Sequence, residues 1–76
     1  MNENEIKVLK MNLLGGMHDY IMHCIQDENF QDAWLTNGVP DEPSEEDLEF
    51  IAEDDELFAH TVHQFSYIVT RDLDNK

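Results

Sequence analysis

The chain has 76 residues, 41% of them hydrophobic, and eighteen acidic residues against four lysines and arginines give it a formal net charge of −14. This length allows one domain, with a core near the lower limit for independent folding. The hydrophobic fraction is too high for a disordered acidic tail, and the negative charge disfavours direct binding to nucleic acid or to an anionic membrane.

The first segment, Glu3 to Ile25, has the periodicity of an amphipathic helix. The pair Gly15-Gly16 lies in its middle, where two glycines favour a kink, a break or a close helix crossing. Apolar residues recur at steps of three and four, and three more widen the stripe: Ile6, Leu9, Leu13, Met17, Tyr20 and Cys24, with Leu14, Ile21 and Ile25 beside them.

A short second helix is predicted over Asp27 to Asn37, with Phe30, Ala33 and Trp34 on one side. The dipeptide Asn37-Gly38 suits a left-handed helix C-cap, and a hairpin turn is the weaker alternative because its flanks do not alternate. The loop over residues 38–43 is stiffened by two prolines.

A third segment opens at Ser44, which forms an approximate capping box with Asp47. Asp55 falls on the apolar stripe of this segment, where a buried lone carboxylate would be costly, so we expect a break near residues 53–55 with an aspartate capping the next helix. Residues 65–70 are predicted to continue the helix, and a short strand is the alternative. The stripe consists of Leu48, Ile51, Phe58, Val62, Phe65 and Val69.

Together these segments predict a single all-α domain, a small bundle of three or four helices spanning residues 1–76. A homodimer would enlarge so small a core, and a stable monomer is an equal alternative. The lone cysteine, Cys24, excludes an intramolecular disulfide and fits a reducing cytoplasm. Its place on the apolar stripe predicts a buried thiol. We find no pattern of a signal peptide or a transmembrane helix, because His18, Asp19 and His23 interrupt the apolar stretch.

The acidic residues are concentrated where cations are missing. No lysine or arginine occurs between Lys10 and Arg71, whereas fourteen of the eighteen acidic residues do. Carboxylates three or four residues apart on a helix lie about 5–6 Å from one another, a spacing that approximates the phosphates of a nucleic acid strand. Phosphate mimicry, a general acidic docking face and a purely solubilising face are the three interpretations. The predicted partner-binding residues are Asp41, Glu42, Glu45, Glu46, Glu49, Glu53, Asp54 and Glu56, with Trp34 or Phe30 as an apolar anchor. Burial of Trp34 in the small core is the alternative interpretation of that residue.

The run from Val39 to Phe58, VPDEPSEEDLEFIAEDDELF, is the most distinctive part of the chain. In size, charge, short helices and single cysteine the chain resembles the small acidic proteins encoded by bacteriophages. Some of those proteins are DNA-mimic inhibitors of the anti-restriction and anti-CRISPR type. The resemblance covers the whole chain but is one of composition. It implies an inhibitor acting in the cytoplasm of a bacterial host cell, and it transfers no functional residue.

Metal binding and catalysis are less well supported by the sequence. Glu56, His60 and His63 share one helical face and could bind a metal together with residues of the first helix, but ordinary surface or boundary histidines are the better interpretation. No cation lies near Cys24 in the sequence to activate its thiol, and a helical domain of this size has little room for a pocket, so we expect no enzymatic activity and no cofactor.

The sequence thus predicts a non-enzymatic inhibitor whose acidic surface blocks the nucleic-acid-binding site of a basic host protein. The alternative is a helical adaptor or regulatory protein that docks through an apolar groove, with the acidic face only tuning association.

Overall fold

Four helices account for most of the computed structural model, which describes residues 2–36, 39–40 and 42–75. They are α1 (Glu3–Cys24), α2 (Glu28–Leu35), α3 (Glu45–Glu53) and α4 (Asp55–Asp74), and no strand occurs among the described residues. The predicted small all-α bundle is confirmed, and the third predicted segment is two helices. Residues 65–70 lie within α4, so the strand alternative is excluded.

The helix starts are set by side chains that accept hydrogen bonds from the first free backbone N–H groups. At α3 the backbone N–H of Asp47 donates to Ser44 Oγ (3.2 Å), and the backbone N–H of Ser44 donates to Asp47 Oδ2 (2.9 Å), which completes the predicted capping box. At α4 the Leu57 N–H donates to Asp54 Oδ1 (3.1 Å). The predicted break and its capping aspartate are therefore confirmed. The predicted Asn37-Gly38 cap lies outside the described residues.

The two long helices run side by side, and the two short ones lie along them in succession. The rings of Tyr20 on α1 and Phe65 on α4 meet edge to face, and Lys10 Nζ lies 5.1 Å from the centre of the Phe58 ring, so α1 and α4 run in the same direction. Helix α2 runs antiparallel to the C-terminal half of α1, and α3 runs antiparallel to its N-terminal half. Two contacts mark these positions: Trp34 with His18, and Lys7 with Glu53.

The centre of the core is Trp34, which has no solvent exposure (0%). Its indole Nε1–H donates to His18 Nδ1 at 3.0 Å, and its ring packs edge to face on Phe65 with centroids 6.2 Å apart. Trp34 is therefore a core residue, as the alternative interpretation of the sequence had it, and cannot be the exposed anchor of a docking surface. Phe30, the alternative anchor, is half-buried and packs against the same core. The other buried apolar residues are Leu14, Ile21, Ile25, Val39, Ile51, Ala52 and Ile68.

The buried side of α1 differs from the predicted one. It is formed by Leu14, His18 and Ile21, whereas Leu9 and Leu13, at the predicted centre of the stripe, are exposed. His18 was expected at the surface or boundary, but it is buried because the Trp34 indole needs an acceptor inside the core. The predicted burial of Cys24 is also wrong, since its thiol is exposed.

Helix α1 continues without a break through Gly15 and Gly16. A Cβ atom built on either glycine would have no neighbour within 4 Å among the described residues. Neither the predicted break nor a close crossing inside this chain therefore accounts for the two glycines.

We expect Trp34→Phe to lower the free energy of unfolding by about 2–3 kcal/mol, because it leaves a void and removes the donor to buried His18. Chemical denaturation followed by far-UV circular dichroism measures this change. Tyr67→Phe, at an aromatic residue more than half exposed, is the control and should change stability by less than about 0.5 kcal/mol. Equal stability of Trp34→Phe and the wild type would contradict this description of the core.

Candidate functional site

The outward side of α3 is the candidate site. Ile51 and Ala52 are buried in the core, and Leu48 packs against it, which fixes the rotation of this short helix. With 3.6 residues per turn, Glu46, Phe50 and Glu53 face away from the core, while Glu49 is half-buried beside them and Glu45 is exposed on the first turn. We call this surface the α3 face, which consists of Glu45, Glu46, Glu49, Phe50 and Glu53.

Phe50 belongs to the α3 face and was missed by the sequence analysis. Its side chain is 70% exposed, the highest value among the large hydrophobic residues that the structure describes as exposed. At helical spacing its neighbours are Glu46, four residues before it, and Glu53, three residues after it. The sequence contained one indication of this exposure: Phe50 falls outside the apolar stripe that includes Leu48 and Ile51. An aromatic side chain surrounded by carboxylates is an apolar contact point within a negative surface.

Lys7 of α1 lies beside two of the predicted acidic residues. Its Nζ is 3.8 Å from Glu49 Oε1 and 3.6 Å from Glu53 Oε1. Such exposed ion pairs are weak, about 0–1 kcal/mol, and are screened by salt. One ammonium group against two carboxylates also leaves a net negative charge. The negative charge of the α3 face is therefore partly neutralised at the end near Lys7. Glu45 and Glu46 have no ion pair with a lysine, arginine or histidine among the described residues.

The remaining predicted site residues are dispersed. Asp54 caps α4 through the Leu57 N–H, so it serves the fold. Glu56 is exposed on the first turn of α4 and Glu42 is exposed in the loop before α3, where it lines an open depression with His18 and His23. Asp41 lies outside the described residues. The structure thus brings together the four glutamates of α3 and does not extend them into one continuous row with the others.

Asp55 forms the shortest ion pair described, with Lys10 Nζ donating to its Oδ1 at 2.8 Å. This hydrogen bond, together with the attraction of the ammonium charge, holds the pKa of the Asp55 carboxyl below its ordinary value of 3.8. The Asp55 side chain is almost fully exposed, so the pair is largely screened by solvent.

The geometry shows no metal centre. Among residues 2–36, 39–40 and 42–75, no group of three or more His, Cys, Asp or Glu side chains is placed to hold a metal ion. His60 and His63 are exposed on α4, as the interpretation of surface histidines predicts, and His23 is exposed near the end of α1.

A comparison of the chain with protein-family models, with curated proteins and with solved structures finds no match. Within the described residues, no helix is both long enough and apolar enough to cross a membrane. The arguments about function below therefore depend on the geometry and charge of this chain alone.

We expect the Asp55 carboxyl to titrate below pH 3.8 in the folded protein, which an NMR pH titration of the aspartate side chains measures. Because its folded pKa lies below the unfolded one, the Lys10 pair stabilises the fold above pH 3.8 and is lost as the pH falls through the folded pKa. Lys10→Gln should return the midpoint to the ordinary value. Lys7→Gln is the control and should leave the titration midpoint of Asp55 below its ordinary value. Equal midpoints in the wild type and in Lys10→Gln would show that Lys10 is not the cause of the lowering.

Proposed function

We propose that this protein is a non-enzymatic inhibitor whose α3 face docks on the basic nucleic-acid-binding surface of a host protein, in the cytoplasm of a bacterial cell. A defence or DNA-processing protein is the class of target. The observation that carries the proposal is the exposure of Glu45, Glu46 and Glu53, with half-buried Glu49 beside them, along one short helix that contains no cation.

The spacing of these glutamates supports competition with nucleic acid. Neighbours three or four residues apart, such as Glu45 and Glu49, place their side chains about 5–6 Å from one another on a helix. A basic groove that binds regularly spaced phosphates can accept such a row, and the net charge of −14 would accelerate the encounter.

Phe50 supports docking over simple solubilisation. An exposed phenylalanine adds nothing to solubility, and within the α3 face it can reach an apolar patch on the partner once the charges have aligned the two surfaces. Phe50 therefore takes the role of apolar anchor for which the buried Trp34 is unavailable.

We expect neutralisation of the α3 face to weaken target binding at least about tenfold at moderate ionic strength. The variant carries glutamine at Glu45, Glu46, Glu49 and Glu53, so helix propensity and side-chain size are nearly unchanged. Wild-type and variant proteins are immobilised in parallel, exposed to bacterial lysate and eluted with a salt gradient. Proteins held by the wild type alone, and displaced by added duplex DNA, are the predicted targets.

The matched control removes the same amount of charge elsewhere, through Glu3→Gln, Glu28→Gln, Asp32→Asn and Asp74→Asn, all at exposed positions. It should retain the targets at nearly the wild-type salt concentration. If the α3 variant and this control behave alike, only net charge matters and the α3 face is not the docking surface. Retention that ignores both salt and added DNA would favour the adaptor alternative instead.

We also expect Phe50→Ala to weaken binding to a captured target by about tenfold without changing its salt dependence, since it removes roughly 1–2 kcal/mol of apolar contact and no charge. Isothermal titration calorimetry at two salt concentrations separates the two effects. Tyr67→Ala, at another exposed aromatic residue, is the control and should bind like the wild type. Unchanged affinity in Phe50→Ala would exclude the anchor role.

A further inference from the structure

One side of the α1–α4 pair is apolar and uncovered. A row of residues on α1 lies about 100° or more around the helix axis from Lys7, which faces α3. A second row, on α4, lies about 100° or more around its helix axis from buried Ile68. The two rows flank the seam where Tyr20 meets Phe65. We call this surface the α1–α4 face, which consists of Ile6, Leu9, Leu13 and Gly16 on α1, and Val62, Ser66, Val69 and Leu73 on α4.

The exposed fractions show that the large side chains of this face are not covered by any described element. Leu13 is 51% exposed and Leu73 57%, and neither packs against the core cluster. Ile6 and Leu9 are also exposed, while Val62 and Val69 are half-buried. Four large apolar side chains on one side of so small a domain form more than the scattered exposure that surfaces normally show.

None of these eight residues is charged, in a chain where acidic and basic residues make up 29%. Charged residues border them: Glu5 and Asp19 on α1, and Asp55, which lies two turns before Val62 and pairs with Lys10. The glutamates of α3 lie on the other side of the domain, because α3 packs against the Lys7 side of α1. The middle of this face offers a charged partner nothing to bind, so the surface that covers it must be apolar.

We propose that the α1–α4 face is covered by a second copy of this chain, so that the protein is a two-fold symmetric homodimer. Two helices about 10 Å wide and about 30 Å long present roughly 600 Å², close to the roughly 800 Å² per partner of a stable interface. Two copies meeting here bring together charge-free surfaces and keep both α3 faces outward, which limits the repulsion between two chains of charge −14.

In a two-fold interface each surface packs on its own copy, so a gap in that surface must receive a side chain from the same surface. In an antiparallel arrangement with the axis at Leu13, Leu9 of one copy comes level with Gly16 and Met17 of the other. Gly16 leaves a gap on an exposed helical surface that no contact within the described chain requires. The Leu9 side chain can enter this gap, which gives mid-helix Gly16 a packing role.

Sedimentation equilibrium of the isolated protein tests the proposal, and we expect twice the 8.9 kDa mass of the chain at micromolar to millimolar concentration. Leu13→Glu should raise the dimer Kd by roughly 30-fold or more, because it places a carboxylate in an apolar interface. Val8→Glu is the control, since Val8 is 47% exposed on the same helix but off the face, and it should remain dimeric.

Leu13 is half exposed, so the fold of Leu13→Glu should survive, and its far-UV circular dichroism should match that of the Val8→Glu control. Gly16→Gln, a second variant, should retain the helical content and weaken the dimer by filling the gap. A monomeric wild type across this range would overturn the proposal, as would dimers that Leu13→Glu and Gly16→Gln leave intact. The measurement needs no target protein, so its result is separate from the proposed function.

Discussion

Helix α2 has eight residues and one fully buried side chain, Trp34, which joins it to both long helices. The indole donates to His18 on α1 and packs on Phe65 of α4. Helices this short are marginal in water, so α2 depends on that burial. Because α2 is fixed against the C-terminal half of α1, the following loop returns beside the same helix and α3 covers the N-terminal half. The burial of Trp34 thus decides where α3 lies, and the burial of Ile51 and Ala52 decides which way its glutamates point.

Local features of the fold could be predicted from the sequence, whereas features that depend on distant contacts could not. The caps at Ser44 and Asp54 act on backbone groups three residues away, so their sequence pattern was sufficient. The buried side of α1 was misplaced because apolar residues surround more than half of that helix. Which of them are buried is decided by α2 and α3, whose positions a single sequence does not show.

The candidate site also combines features that the local sequence predicts with features that depend on distant contacts. The glutamates of α3 were predicted because they are dense and lack local cations, but Lys7 approaches Glu49 and Glu53 from more than forty residues away. Trp34 was a reasonable candidate by residue type, since tryptophan is frequent at interface hot spots. Tryptophan is also the side chain whose burial adds most apolar area to a small core, and Trp34 is buried there. Phe50 was left exposed because α3 has room to bury only Ile51 and Ala52, with Leu48 partly covered.

The proposed homodimer and the proposed docking surface respond to salt in opposite directions. Two chains of charge −14 repel each other, and a screening length of about 10 Å at 0.1 M salt reduces that repulsion between outward faces on opposite sides of the dimer. Rising salt therefore strengthens the apolar α1–α4 contact and weakens attraction between the α3 face and a basic partner. A dimer with two outward acidic faces gains avidity only where two basic sites are spaced to receive both. The separation of charge from apolar surface in this chain would allow one small domain to carry both proposed interactions.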